Sequence, residues 1–149
     1  MMRTDPLRPD MPLLALLQRA TRWFQEGLAD QLAHAGVAPI TPAHMMVLGY
    51  LRGRDPISIA ELARLAGMTR QTMHRAVKQL TQEGLVSADR GAGYPRTTHM
   101  QITDAGVRRR VIAASVLAEL EAELAEHLGE RTTAALRAAA SRPWPDLAT

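Results

Sequence analysis

Apolar positions recur with helical spacing over most of this chain, and the places where the period fails mark its turns. Leu13, Leu16, Leu17, Ala20, Phe24, Leu28 and Leu32 set a first stripe that runs to about Ala35, with Asp10 as its cap, Pro12 in its first turn and Gly36 as its stop. So long a helix has little nearby chain to cover it and calls for a second long helix, from this chain or another copy. Thr41-Pro42 opens a second helix through Met45, Met46, Leu48 and Leu51 to about Arg52. Ile57 predicts a minimal strand. Ser58-Ile59-Ala60-Glu61 is a capping box, in which Ser58 and Glu61 satisfy first-turn N–H groups reciprocally; its helix carries Leu62, Leu65 and Ala66 and stops at Gly67. Thr69 then caps a helix over about 70–82, with Met73, Val77 and Leu80 on one face. Two helices joined by a short glycine-containing turn make a helix-turn-helix.

Beyond Gly84 the period shortens from helix to strand. Leu85-Val86 begins a strand, Gly91 to Pro95 is rich in turn formers, and His99 to Thr103 returns with Met100 and Ile102 on one face. This two-stranded wing is marginal alone and must pack on the helices through Leu85, Met100 and Ile102. Thr103-Asp104 caps a long helix through Val107, Val111, Leu117, Leu120, Leu124 and Leu128. Its acidic C-terminal half opposes the helix dipole, so packing must hold it. Gly129 breaks it, and Arg131 to Ser141 forms a short helix ended by Pro143, ahead of Trp144. The predicted class is mainly α with a small β-hairpin: a winged helix-turn-helix plus long helices, which the family resemblance drawn below makes dimerisation helices. The expected division is a flexible arm (1–10), those long helices (11–36 and 104–141), the winged module (41–103), which the same resemblance makes DNA-binding, and a tail (142–149).

The chemistry concentrates on the 70–82 helix. Gln71, His74, Arg75 and Lys78 recur at i, i+3, i+4 and i+7, a second stripe with donors, positive charge and no carboxylate. A merely solvated basic face would look the same in isolation. Its neighbours favour DNA: a helix-turn-helix precedes it, and the wing that follows carries Arg90 and Arg96 near its tip, placed for phosphates or a minor groove. The charge distribution agrees. Net charge is only +3, but residues 52–110 hold eleven Arg or Lys against five Asp or Glu, while the remainder has seven against ten. Arg108, Arg109 and Arg110 lie close to the wing and could touch a DNA backbone, although a solvated face is the simpler reading.

Composition removes alternatives. With 46% hydrophobic residues a packed core is available, and the absence of cysteine excludes disulfides and thiolate chemistry. No apolar run approaches the roughly 18 residues of a membrane span, and the first ten residues lack a signal-peptide core, so a cytoplasmic protein is expected. No Ser-His-Asp, paired-carboxylate or phosphate-loop pattern appears, and no histidine pair has metal-ligand spacing, so neither enzyme activity, a cofactor nor a metal is expected.

The order of elements, with Thr41 and Leu48, Ser58-Ile59-Ala60-Glu61-Leu62-Ala63, Leu80 with Gly84-Leu85-Val86, and Ile102-Thr103-Asp104-Ala105-Gly106, resembles the MarR family of winged helix-turn-helix regulators over about residues 12–140. The resemblance implies a homodimer whose first and last helices interlock and whose two winged modules read a pseudo-palindrome in double-stranded DNA. By position it assigns Thr72, His74 and Arg75 to the groove, with Arg70, Gln71 and Lys78 alongside, and Arg96 to the wing. One departure is Tyr94, where the family's wing usually has an aspartate bracing that arginine. Family members commonly respond to small aromatic or lipophilic effectors between the dimer helices and the DNA module. Trp23, His34, His44, Met45 and Met46 lie on segments that would line such a pocket, though core packing and capping account for them more simply. The expected function is a ligand-responsive, dimeric repressor; the alternative is a winged-helix scaffold for protein–protein contacts that does not read DNA.

Overall fold

The computed structural model describes residues 10–52, 56–90 and 98–145. Its elements are α1 (Leu13–His34), α2 (Pro42–Tyr50), β1 (Ile57–Ser58), α3 (Ile59–Ala66), α4 (Arg70–Gln82), β2 (Val86–Arg90), β3 (Thr98–Ile102), α5 (Asp104–Leu128) and α6 (Glu130–Ala140). This is the mainly helical winged helix-turn-helix expected, with several corrections in detail.

The wing is not an isolated hairpin. β1 pairs antiparallel with β3 (Ile57↔Met100, Ser58↔His99), giving a three-stranded sheet in the order β1-β3-β2. The extra strand makes β3 central and leaves Met100 fully buried, which relieves the marginal stability of a two-stranded ribbon. β2 starts at Val86 rather than Leu85, because the Leu85 N–H is taken by the Leu80 carbonyl (2.9 Å) across the left-handed Gly84 (φ +72°). Gly67, at φ +62°, closes α3 in the same way and sets the turn of the helix-turn-helix. Both positions need a residue without a Cβ.

Helix starts follow the sequence with two exceptions. Thr41, Ser58, Thr69 and Thr103 each accept a hydrogen bond from a first-turn N–H. At α1, however, the N-cap position is Pro12, with no side-chain cap, two residues after the Asp10 expected there. At α3 only half of the capping box forms: Ser58 accepts from the Glu61 N–H, while the Glu61 carboxylate turns to Arg64 (2.6 and 2.9 Å). A charged partner three residues on outcompetes a neutral N–H. Thr103 also donates to the Gly84 carbonyl (2.7 Å), joining the start of α5 to the end of α4.

Two apolar clusters support these elements. In the winged module Val47, Leu48, Leu51, Leu62, Met73, Val77, Leu80, Val86 and Met100 meet. Along the long helices Leu28 and Leu32 of α1 pack on Val116 and Leu120 of α5, with Trp23, Phe24, Ile40 and Met45 around them. The second long helix that α1 requires is therefore α5 of the same chain. That contact is incomplete. Leu13 and Leu14 are 65% and 67% exposed, and α6 buries no residue, being held to α5 in part by an Arg137–Glu121 ion pair.

Candidate nucleic-acid interface

Helix α4 divides cleanly into two faces. Met73, Ala76, Val77 and Leu80 are buried against α2 and α3, which fixes the rotation of the helix about its axis. Gln71, Thr72, His74, Arg75 and Lys78, with Arg70, are all exposed as a consequence. Arg70, Gln71, His74, Arg75 and Lys78 line one shallow surface groove together. Three of these five are permanent cations, and no carboxylate interrupts them. The Thr72 hydroxyl is held by the Thr69 hydroxyl (2.9 Å), and its N–H by the same oxygen (3.1 Å), so the first turn of α4 is preorganised.

Between α4 and the sheet lies a cleft of about 310 Å³ lined by His74, Lys78, Thr81 and Gln82 over a floor that includes Val77 and Met100. Thr81 and Gln82 were not singled out by the sequence, although they stand at i+3 and i+4 from Lys78 and simply extend its stripe. Arg90 ends β2 opposite Thr98, but its side chain, and Tyr94 and Arg96 altogether, lie outside the described residues.

The three arginines at the start of α5 do not form a common solvated face. Only Arg108 is exposed. Arg109 donates to the Ala38 carbonyl (3.2 Å) and stands 4.0 Å from the Glu83 carboxylate. Arg110 reaches the carbonyls of Leu48 and Leu51 (3.5 Å each), satisfying the C-terminal end of α2. A charged head with an apolar stem suits such a clamp, and sequence spacing carries no signal for it.

Of the five positions named for an effector, Trp23 and Met45 share the α1–α5 cluster. Trp23 is partly buried, edge-on to Phe24 with ring centroids 4.9 Å apart, and borders a groove with Glu123, Leu124, Glu126 and His127. Met45 packs on the α1–α5 cluster, whereas Met46 is 38% exposed. The His34 ring sits 2.7 Å from the Asp30 carbonyl of its own helix. His44 is only 3% exposed and completes the α2 capping box: its N–H donates to the Thr41 hydroxyl (3.2 Å), and its Nδ1 accepts from the Thr41 N–H (3.4 Å). Burial holds its pKa below the ordinary 6.5, outweighing the opposite pull of Glu83 and of a side-chain bond to Gln79, while Arg109 adds to the depression.

Residues 38–93 match the family model described as MarR family. The HTH-type transcriptional regulator PetP of Rhodobacter capsulatus is 29% identical over 97 residues, a match spanning 65% of this chain and 52% of that protein. Among solved structures, wild-type MarR from E. coli superposes with a TM-score of 0.72 at 20% identity, covering 91% of this chain and 98% of the other. A probable transcriptional regulator from Pseudomonas aeruginosa gives 0.75 at 21% identity over the same shares. A Mycobacterium tuberculosis MarR family protein solved with p-aminosalicylic acid gives 0.62 at 26% identity, covering 85% and 94%. These findings bear out the resemblance to the MarR family and its fold.

Proposed function

We propose, for a chain whose winged helix-turn-helix is of the MarR family, a dimeric regulator that reads double-stranded DNA through α4. The observation that carries this reading is the exposed stripe of Arg70, Gln71, His74, Arg75 and Lys78, free of carboxylates, on a helix fixed in rotation by its buried face. Residues 41–103 form the DNA-binding module in this reading, with Thr72 beside the stripe and Arg90 and Arg96 extending it from the wing. A 13-residue helix is roughly 20 Å long, which suits a major groove.

The dimer is supported by what α1 and α6 leave uncovered. Leu13, Leu14, Leu128 and Leu136 are 43% to 67% exposed, apolar side chains that a second copy would cover. Residues 11–36 and 104–141 would supply this interface and set two α4 helices about one DNA turn apart. Light scattering is expected to give a dimer mass, and Leu14→Glu a monomer. An effector of the class found with that relative, solved in complex with p-aminosalicylic acid, would sit between the long helices and the winged modules of this chain, change the angle between the modules and release a repressed operator. Among the described residues no helix is long and apolar enough to cross a membrane.

The test is fluorescence anisotropy on DNA from the region upstream of the chain's own reading frame, against scrambled DNA, at two salt concentrations. Preference for the upstream DNA, weakening steeply with salt, is the expected result, since each phosphate contact releases a counterion. Equal and weak binding to both would favour the scaffold reading instead.

A further inference from the structure

Glu83 stands where a carboxylate is disfavoured. It is the C-cap residue of α4, beside the negative end of the helix dipole, and no basic residue lies in the last turn of that helix. Its compensation comes from further away. The Gln79 side-chain amide donates to one carboxylate oxygen (3.2 Å), and the Arg109 guanidinium of α5 faces the other at 4.0 Å. The same guanidinium nitrogen donates to the Ala38 carbonyl (3.2 Å), in the connector between α1 and α2. A freely exposed ion pair at that separation contributes little. Here only 19% of the Arg109 side chain is exposed, and the Ala38 carbonyl holds the guanidinium in place beside Glu83.

Arg109 is one of three attachments between the start of α5 and the end of α4. Thr103 bonds to the Gly84 and Leu85 carbonyls (2.7 and 3.1 Å), and Gly106 lies against the Leu85 carbonyl. Those two grip nearly the same point, about which α4 could pivot. Arg109 follows six residues after Thr103, roughly 9 Å along the helix, and ties the end of α4 to the α1–α2 connector as well. A joint with one grip is a hinge; the second grip makes it a brace.

We propose that Arg109 is a positioning residue for DNA recognition, which acts through Glu83 to fix the angle at which α5 carries α4. This rests on the DNA-binding reading of α4, in which two copies of that helix must meet their half-sites together. A loosened joint lowers sequence-specific binding, because base edges demand a set orientation. It leaves phosphate contacts on any sequence largely intact.

Charge and bracing predict opposite signs for one variant. Glu83→Gln removes a carboxylate from the end of the reading helix, so charge alone would tighten DNA binding. In fluorescence anisotropy of the whole protein, E83Q and R109Q are instead each expected to weaken binding to the upstream DNA by about tenfold. The double variant should be no weaker than either single one, since both remove the same contact. Binding to scrambled DNA should stay within about threefold of the unaltered protein. Tighter upstream binding by E83Q would overturn the proposal. So would equal losses on both DNAs in R109Q, which would make Arg109 a phosphate contact. E83Q changes an exposed side chain and relieves the dipole clash, so it keeps the test open should R109Q fold poorly.

A second arm reads the joint without DNA. The chain has no cysteine, so Gln71→Cys on α4 and Ser115→Cys on α5, both at exposed positions, carry one pair of nitroxide labels. Dilution with unlabelled protein confines the spin–spin distance to a single chain. Gln71 lies at the end of α4 away from the brace, where a pivot moves furthest. R109Q is expected to broaden the distance distribution, and an unchanged distribution would refute the brace. If the unaltered protein does not prefer the upstream DNA while R109Q still broadens the distance, the DNA reading fails and the brace is a structural joint alone. A strong preference that E83Q and R109Q both leave unchanged upholds the DNA reading and overturns the proposal.

Discussion

Replacing Arg75 by alanine is expected to weaken binding to a specific operator by about tenfold to a hundredfold and to relax discrimination at one base position. Arg75 is exposed at the middle of α4, between Gln71 and Lys78 on the same stripe, and its planar guanidinium can make two parallel bonds to one guanine edge. Lys78→Ala should differ in kind. A lysine near the C-terminal part of the helix suits a phosphate, so its loss should weaken operator and scrambled DNA alike and lower the salt slope by about one. Both side chains are exposed and project away from the buried Met73, Val77 and Leu80, so thermal stability should hardly move. Competition anisotropy with single-base operator variants separates the two roles. If R75A and K78A reduce affinity by the same factor on every sequence, α4 contacts only the backbone and is not the reading helix.

Gly106→Ala should cost the fold about 2–3 kcal/mol, against the rule that alanine is the better helix former. Propensity by itself predicts a gain of about 1 kcal/mol inside a helix. Yet a Cβ at this position would stand 2.0 Å from the Leu85 carbonyl oxygen and 2.7 Å from Ile102 Cγ1. Backbone cannot step aside as a flexible side chain can, and overpacking of this kind costs about 1–3 kcal/mol or more. The close approach exists because Thr103 ties α5 to Gly84 and Leu85 at the base of the wing: its hydroxyl donates to the Gly84 carbonyl and its N–H to that of Leu85 (3.1 Å). Gly49→Ala provides the contrast, since nothing lies within 4 Å of the added carbon and α2 should gain about 1 kcal/mol. Urea denaturation of the two variants should move in opposite directions. A stabilised G106A would mean that α5 meets the wing more loosely than these distances state.

Much of this architecture was legible in one dimension because its determinants are local. Helix periodicity, four threonine or serine caps and the glycine stops each act within about four residues, so the run of elements from α1 to α6 could be read directly. The exposed face of α4 was legible for the same reason, since burying Met73, Val77 and Leu80 leaves Gln71, His74, Arg75 and Lys78 outside by geometry alone. What escaped depends on partners far apart in the chain. The minimal strand at Ile57 was legible, but not its pairing: Ile57 and Ser58 meet β3 some forty positions later. Arg109 and Arg110 read as surface charge, yet each finds carbonyls about sixty or seventy residues away. Glu61 shows the local version of the same effect, leaving its capping box for the nearby Arg64 charge.

His44 gathers both kinds of information. Its cap with Thr41 lies within one helical turn, and the histidine stood among the candidates for an effector pocket. Only the packing of α2, α4 and α5 buries the ring, supplies Gln79, Glu83 and Arg109 around it, and lowers its affinity for a proton. The sequence by itself determined which segments are helical and which face of α4 meets solvent, because those choices rest on spacing and capping between near neighbours. The tertiary structure alone decided where the arginines of α5 point, which strand completes the sheet and which histidine is shielded from water, because burial and hydrogen-bond partnership belong to pairs that folding brings together.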